Sequence, residues 1–92
     1  MNVIYTIRGN NISSSPTEVD IWEKVLNKIK ENITPLTYAT WFENTKLYLI
    51  NNGEAVVKVP TLINKKYLKE NYNDMINEYL IKEIKYRNKE DV

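Results

Sequence analysis

The sequence predicts a small α+β domain with the element order β-α-α-β-β-α, in which helices pack on one face of a two- to three-stranded sheet. Residues 2–8 alternate between two faces and are rich in β-branched and aromatic side chains, which is typical of a strand. Two more strand-like runs flank Asn52-Gly53, a strong hairpin signal. Apolar residues elsewhere recur every three or four positions, which indicates amphipathic helices.

The composition excludes several kinds of site. The 92 residues suffice for one domain, and the net charge of +1 gives no global argument for a nucleic-acid partner. The chain contains no cysteine and no histidine, which rules out disulfides, thiolate metal sites and the commonest general base. No motif indicates a nucleophile or a Gly-rich phosphate loop. We therefore expect no enzymatic activity, no cofactor and no metal.

Two features bear on location and source. No apolar run approaches the roughly 20 residues of a membrane span, and the N-terminus lacks the basic and apolar regions of a signal peptide. Frequent asparagine, isoleucine and lysine residues are typical of an A/T-rich genome. We expect a cytoplasmic protein of a bacterium, or of one of its mobile elements, with no membrane partner.

The first helix has strong start signals. Ser15 can cap it, Pro16 suits its first position, and Glu18 completes a capping box. The apolar positions that follow form one stripe: Ile21, Trp22, Val25, Leu26, Ile29 and Ile33. Thr34-Pro35 ends this helix and starts a second, short one that ends near Asn44.

The hairpin is predicted from Lys46 to Val59, with Asn52-Gly53 in a type I′ turn. We expect Leu47 and Leu49 to face one side of the sheet. Pro60-Thr61 then starts a third helix that ends between residues 82 and 86. The chain thus divides into an N-terminal strand and linker over 1–15, a folded domain over 16–86 and a flexible tail over 87–92.

Five segments in this order resemble the N-terminal domain of the bacterial replication initiator DnaA. They are IWEKVL at 21–26, TYATWF at 37–42, TKL at 45–47, VP at 59–60 and YLKENY at 67–72. The resemblance implies a KH-like fold and a non-enzymatic module that binds other proteins. The implied partners are a second copy of the chain, the replicative helicase and regulators of initiation.

The resemblance also implies roles for individual residues. Trp22 matches a first-helix tryptophan associated with self-association, and Trp41 matches a core aromatic. Thr37 and Ile63 match positions on the surface that contacts the helicase and regulators. Relatives often carry an acidic or polar residue at the position of Thr37 and an aromatic residue at the position of Ile63. Trp22, Thr37 and Ile63 are therefore the candidate partner-binding residues.

The chain departs from the family pattern at its ends. The family usually has a third strand after the last helix and lacks a constant strand before the first. We expect residues 2–8 to take the place of that third strand, with residues 84–87 as the alternative. The opening methionine and the extra strand favour a stand-alone relative, which could compete with the initiator as a decoy, over a fragment of a larger initiator.

Each candidate site also has a purely structural interpretation. Trp22 is either a core residue or a contact at the edge of its stripe, whereas Trp41 fits the core. Thr37 is also the third residue after its helix cap, and Ile63 lies off the apolar stripe of the third helix. Lys65, Lys66 and Lys69 form either a solvated helix face or a weak site for single-stranded DNA.

Overall fold

A computed structural model describes the backbone of residues 3–9, 12, 18–51 and 53–90, and the side chains of these residues except 18, 19 and 87–90. The elements in chain order are β1 (Val3–Arg8), α1 (Glu18–Lys30), α2 (Pro35–Trp41), β2 (Lys46–Asn51), β3 (Glu54–Val59), α3 (Leu62–Asn71) and α4 (Asn73–Glu90). The predicted order β-α-α-β-β-α is confirmed, except that the last helix is divided into two.

The sheet has three antiparallel strands in the order β1-β3-β2. β1 pairs with β3 without interruption from Val3 opposite Val59 to Arg8 opposite Glu54. The N-terminal strand therefore completes the sheet, as predicted. The alternative, a strand at residues 84–87, is wrong because these residues belong to α4.

A β-bulge in β2 overturns the predicted side-chain alternation of the hairpin. Leu47 pairs with Val57, whereas Leu49 pairs with Val56, so the register shifts between the two leucines. A bulge places one extra residue against the partner strand and reverses the facing of everything after it. Leu47 and Ile50 are consequently buried, while Leu49 is only half-buried on the other side of the sheet.

The core lies between one face of the sheet and the helices. The buried strand residues are Tyr5, Ile7, Leu47, Ile50, Ala55, Val57 and Val59, and the buried residues of α1 and α4 are Ile21, Trp22, Val25, Ile29, Ile76, Leu80 and Ile84. α1 packs on β2 and α4, and α3 packs on β1 and β3. The predicted stripe is confirmed within α1, where Leu26 is partly buried. Ile33 is also partly buried but lies beyond the end of the helix at Lys30, and the proposed cap at Ser15 lies outside the described residues.

The predicted start of α2 is confirmed in detail. Thr34 is the N-cap, its side-chain oxygen accepts a hydrogen bond from the backbone N–H of Thr37 at 3.1 Å, and Pro35 follows as the first helical residue. Leu36 is 77% exposed, so the apolar face of this short helix consists of later residues. Phe42 is fully buried, and Trp41 is partly buried against the core.

The third predicted helix breaks at Tyr72, whose φ of −127° and ψ of 3° leave the helical region. Its ring meets Phe42 edge-on, with centroids 5.2 Å apart. The break lets α3 lie on the sheet while α4 packs along α1, which one straight helix could not do. Helical backbone then continues to Glu90, beyond the predicted end.

The hairpin turn places Gly53 at φ +90°, a value that favours glycine. Asn52 lies outside the described residues, so the predicted type I′ turn stays a prediction.

Candidate protein-interaction surface

The start of α3 exposes two adjacent apolar side chains. Thr61 caps the helix by accepting a hydrogen bond from the backbone N–H of Asn64 at 3.1 Å. Leu62 and Ile63 follow directly and are each 70% exposed. Because α3 turns Asn64 and Leu68 inward, the two residues next to the cap point to solvent. We call Leu62 and Ile63 the apolar tip of α3.

The apolar tip is held on a fixed base. The side-chain nitrogen of Asn64 lies 3.4 Å from the carbonyl oxygens of both Thr40 and Trp41, and its carboxamide is almost buried. One turn further along, the rings of Trp41 and Tyr67 stack with centroids 3.9 Å apart and planes inclined by 9°. These contacts join α3 to α2, so the tip is presented by a well-packed pair of helices.

Lysine side chains surround the base of the tip. An open cleft of about 600 Å³ is lined by Leu62, Lys65, Lys66, Lys69 and Glu70. The three lysines predicted as possible nucleic-acid contacts therefore do lie together. They create a positive rim with one carboxylate beside an apolar residue, which suits an acidic surface that carries an apolar side chain.

Thr37 forms hydrogen bonds with Thr34, the N-cap of its own helix. Its backbone N–H bonds Thr34, and its hydroxyl accepts a hydrogen bond from the Thr34 hydroxyl at 2.8 Å. The side chain is half-buried. A partner could reach its exposed part, but its capping contacts alone account for a threonine at this position.

Trp22 is a buried residue of the isolated chain, with only 4% of its surface exposed. Its indole Nε1–H donates a hydrogen bond to Thr45 Oγ1 at 3.1 Å, and the Thr45 hydroxyl donates to the carbonyl of Phe42 at 2.7 Å. The exposed edge of the ring lines a groove of about 350 Å³ together with Glu23, Leu26, Thr45, Lys46 and Leu47. This is the groove between α1 and β2.

The structure does not gather the three candidate residues into one patch. Trp22, Thr37 and Ile63 lie on three different helices, and only Ile63 is largely exposed. The spacing of the apolar residues predicts Leu62 as part of the buried stripe of the third helix, whereas the structure exposes it. Its position directly after the capping Thr61 could have indicated this exposure, since the first inward-facing residue of α3 is Asn64.

The outer face of the sheet carries a second exposed group. Ile4 and Tyr48 are both exposed there, and the Lys58 ammonium lies 4.2 Å from the centre of the Tyr48 ring. At one end, Arg8 and Glu54 approach to 3.7 Å. Because both ends of this pair reach solvent, it contributes little to stability.

Two tyrosines of the described residues have raised pKa values. Burial, with the nearby charge of Asp74 as a smaller cause, raises the pKa of Tyr5 to about 12. Its hydroxyl donates a hydrogen bond to the side-chain oxygen of Asn73, which lies at the start of α4. Burial, followed by the neighbouring Tyr67, also raises the pKa of Tyr72. Both tyrosines pack within the fold, so these shifts mark packing.

The described part of the chain lacks a metal-binding cluster and a membrane-spanning helix. Within it, no three carboxylate-type side chains come together as a metal site would require. Over the same residues, no helix combines the length and apolarity needed to cross a membrane.

Comparison with known proteins completes the description of the site. Residues 19–82 match the family described as DnaA N-terminal domain. This range contains all but the first residue of α1, all of α2, the hairpin and α3, and the first part of α4. No solved structure matches the chain closely enough to count as a relative. Since the match covers more than half of the 92 residues, the chain belongs to the DnaA N-terminal domain family, whose members act in replication initiation.

Proposed function

We propose that this chain is a non-catalytic protein-interaction module that acts in the initiation of DNA replication through the apolar tip of α3. The family supplies the general role, since its domains mediate protein contacts in initiation. The observation that carries the location is the exposure of Leu62 and Ile63, each 70% accessible on adjacent positions. Exposed apolar side chains in a group, rimmed by polar residues, are typical of protein contact sites.

The chemistry of the surface indicates what the partner offers. Burying Leu62 and Ile63 favours an apolar depression on the partner. Lys65, Lys66 and Lys69 beside it favour acidic residues around that depression. We propose the replicative helicase or a regulator of initiation as this partner, in a cytoplasmic complex.

The other two candidate residues have supporting parts in this proposal. Thr37 lies one turn before Trp41, whose ring and carbonyl meet α3, so a large change there would disturb the base of the tip. Trp22 lines the groove between α1 and β2, where a second copy of the chain or a regulator could insert a side chain. Such binding in the groove leaves Trp22 in the core.

Binding to the purified replicative helicase of the source cell, measured by isothermal titration calorimetry, tests the proposal. We expect Ile63→Ser to weaken binding about tenfold or more, since a buried interface residue of this size contributes on the order of 1.4 kcal/mol or above. Ile4→Ser is the matched control, because Ile4 is also an exposed isoleucine but lies on the outer sheet face. Equal effects of the two substitutions would contradict the proposed location.

A second function, weak binding of single-stranded DNA, is favoured by the lysine cleft. Lys65, Lys66 and Lys69 line one concavity, and such a cluster can contact phosphates. The nearest aromatic ring, Tyr67, is already stacked on Trp41, so one of its faces is not free for a base. Fluorescence anisotropy with a labelled oligonucleotide at low salt decides this: Lys66→Gln weakens binding more than Lys24→Gln on α1 if the cleft is the site.

A further inference from the structure

Among the described residues, the outer edge of β1 has no strand partner. β1 lies at one side of the sheet and pairs only with β3. Its six residues, VIYTIR, carry a single charge, at Arg8. Within the described residues, no backbone hydrogen bond from another element reaches this edge. A regular strand edge of this kind is a template for a further strand.

The backbone groups that point to this edge can be identified. The N–H of Gly9 donates to the carbonyl of Gly53 at 3.1 Å, so Gly9 faces β3. In an antiparallel ladder this facing alternates along the strand. Tyr5 and Ile7 therefore also turn their backbone groups to β3, whereas Ile4, Thr6 and Arg8 turn theirs to the open edge.

The opposite edge of the sheet is less regular. β2 is interrupted by the bulge between Leu47 and Leu49 and begins with exposed Lys46. Bulges and edge lysines are devices that keep strand edges from pairing, and the described residues of β1 contain neither.

We propose that two copies of the chain associate through antiparallel pairing of their β1 strands about a twofold axis at Thr6. In this register Thr6 lies opposite Thr6 of the second copy, and Ile4 lies opposite Arg8. All three outward-facing residues then form hydrogen-bonded pairs, and shifting the strands by two residues loses one of them. The two sheets join into one sheet of six strands, since each copy contributes three.

The side chains are compatible with this register. Arg8 lies opposite Ile4 of the second copy rather than opposite the second Arg8, and its charge is already 3.7 Å from Glu54 of its own chain. On the core side of the sheet, Tyr5 of each copy lies opposite Ile7 of the other. The twofold axis runs perpendicular to the sheet, so the helices of both copies lie on the same side.

The pairing is small and the dimer is accordingly weak. Six residues of each chain take part directly, compared with the 20–30 residues on each side of a standard stable interface. We expect a dissociation constant on the order of 10 µM to 1 mM. This inference goes beyond the proposed function, because it uses the edge of β1 rather than the apolar tip of α3 or the groove beside Trp22.

Because Thr6 meets itself at the axis, charge substitutions test the register directly. Thr6→Lys and Thr6→Glu each place like charges opposite one another, which destabilises a strand pair, whereas an equimolar mixture places opposite charges there. Sedimentation from about 10 µM to 1 mM should show each variant alone at the 10.9 kDa monomer mass and dimers in the mixture. A mixture that remains monomeric, or single variants that dimerise like the wild type, would overturn the proposal.

A backbone test separates pairing from folding. Thr6→Pro removes the outward N–H while leaving the ladder to β3 intact, and proline is tolerated at such edge positions. We expect a folded monomer by circular dichroism and sedimentation, whereas Thr6→Val, which keeps the N–H, dimerises like the wild type. If no Thr6 variant folds, wild type that stays monomeric at 1 mM still refutes the inference. Retained helicase binding by the monomeric variants would leave the proposed function standing.

Discussion

The buried hydrogen bond between Trp22 and Thr45 gives the sharpest prediction about stability. Thr45→Val removes the hydroxyl that accepts from the indole N–H at 3.1 Å but keeps the shape of the side chain. The carbonyl of Phe42 retains a partner, because the backbone N–H of Thr45 also donates to it at 3.1 Å. The substitution therefore leaves one buried donor, the indole N–H, without an acceptor.

The magnitude follows from this single orphaned group. A buried donor left unsatisfied costs about 1–3 kcal/mol, so we expect Thr45→Val to lower the free energy of unfolding by about 2 kcal/mol. In a domain of this length, 1 kcal/mol corresponds to roughly 4–8 °C in Tm. The expected fall in Tm is therefore about 10 °C, measured by thermal denaturation followed by circular dichroism.

A double-mutant cycle with Trp22→Phe isolates the bond. Phenylalanine has no N–H, so Thr45→Val should cost less in this background, with a coupling energy of about 1 kcal/mol or more from urea unfolding. Additivity within about 0.3–0.5 kcal/mol would refute the reasoning. It would mean that the indole N–H does not depend on Thr45, and that Trp22 is held by packing alone.

Three further predictions concern the core, the hairpin and the pH dependence of stability. Leu80→Ala should lower the free energy of unfolding by about 2–4 kcal/mol in urea, since Leu80 is fully buried, whereas Leu36→Ala at a 77% exposed position should change it by less than about 0.5 kcal/mol. Gly53→Ala should cost about 1 kcal/mol or more although nothing would touch the new methyl group, because φ is +90° there; an unchanged Tm would contradict this. Burial, and then Asp74, raise the pKa of Tyr5 to about 12. The neutral tyrosine therefore stabilises the folded state fully below pH 10, and this stabilisation is lost as the pH rises to about 12. Wild type should lose roughly 1–2 kcal/mol more than Tyr5→Phe across that range after allowance for screening, and parallel pH profiles would count against it.

The elements predicted correctly from sequence are those whose signals are local. Thr34 and Thr61 cap their helices through bonds to residues only three positions away, so the pattern of nearby residues contains the whole cause. The hairpin bounds depend in the same way on Asn52-Gly53, because a two-residue loop fixes which residues pair.

The features that escaped prediction have distant causes. The bulge at Leu47 and Leu49 and the break at Tyr72 both depend on packing between segments far apart in the chain, such as the edge-on contact of Tyr72 with Phe42. Neither the bulge nor the break contains a glycine or proline from which it could be predicted. Hydrophobic spacing alone therefore predicted one regular strand and one continuous helix.

The candidate site shows the same division. Ile63 lies off the stripe of its helix, and its exposure could be predicted from spacing. The burial of Trp22 could not be decided from the sequence, because it depends on tertiary packing; even the acceptor of its indole N–H, Thr45, lies 23 positions away. The open edge of β1 likewise becomes apparent only once its place in the strand order is known.

The central claim is that the apolar tip of α3 is the surface that binds a replication protein. Titration of the isotope-labelled domain with unlabelled replicative helicase, followed by amide NMR spectra, tests it most directly. We expect the signals of Leu62, Ile63 and the neighbouring Lys66 to broaden or shift first, while those of Tyr48 on the outer sheet face remain unchanged. Changes confined to the outer sheet face, or no change at a stoichiometric amount of helicase, would contradict it.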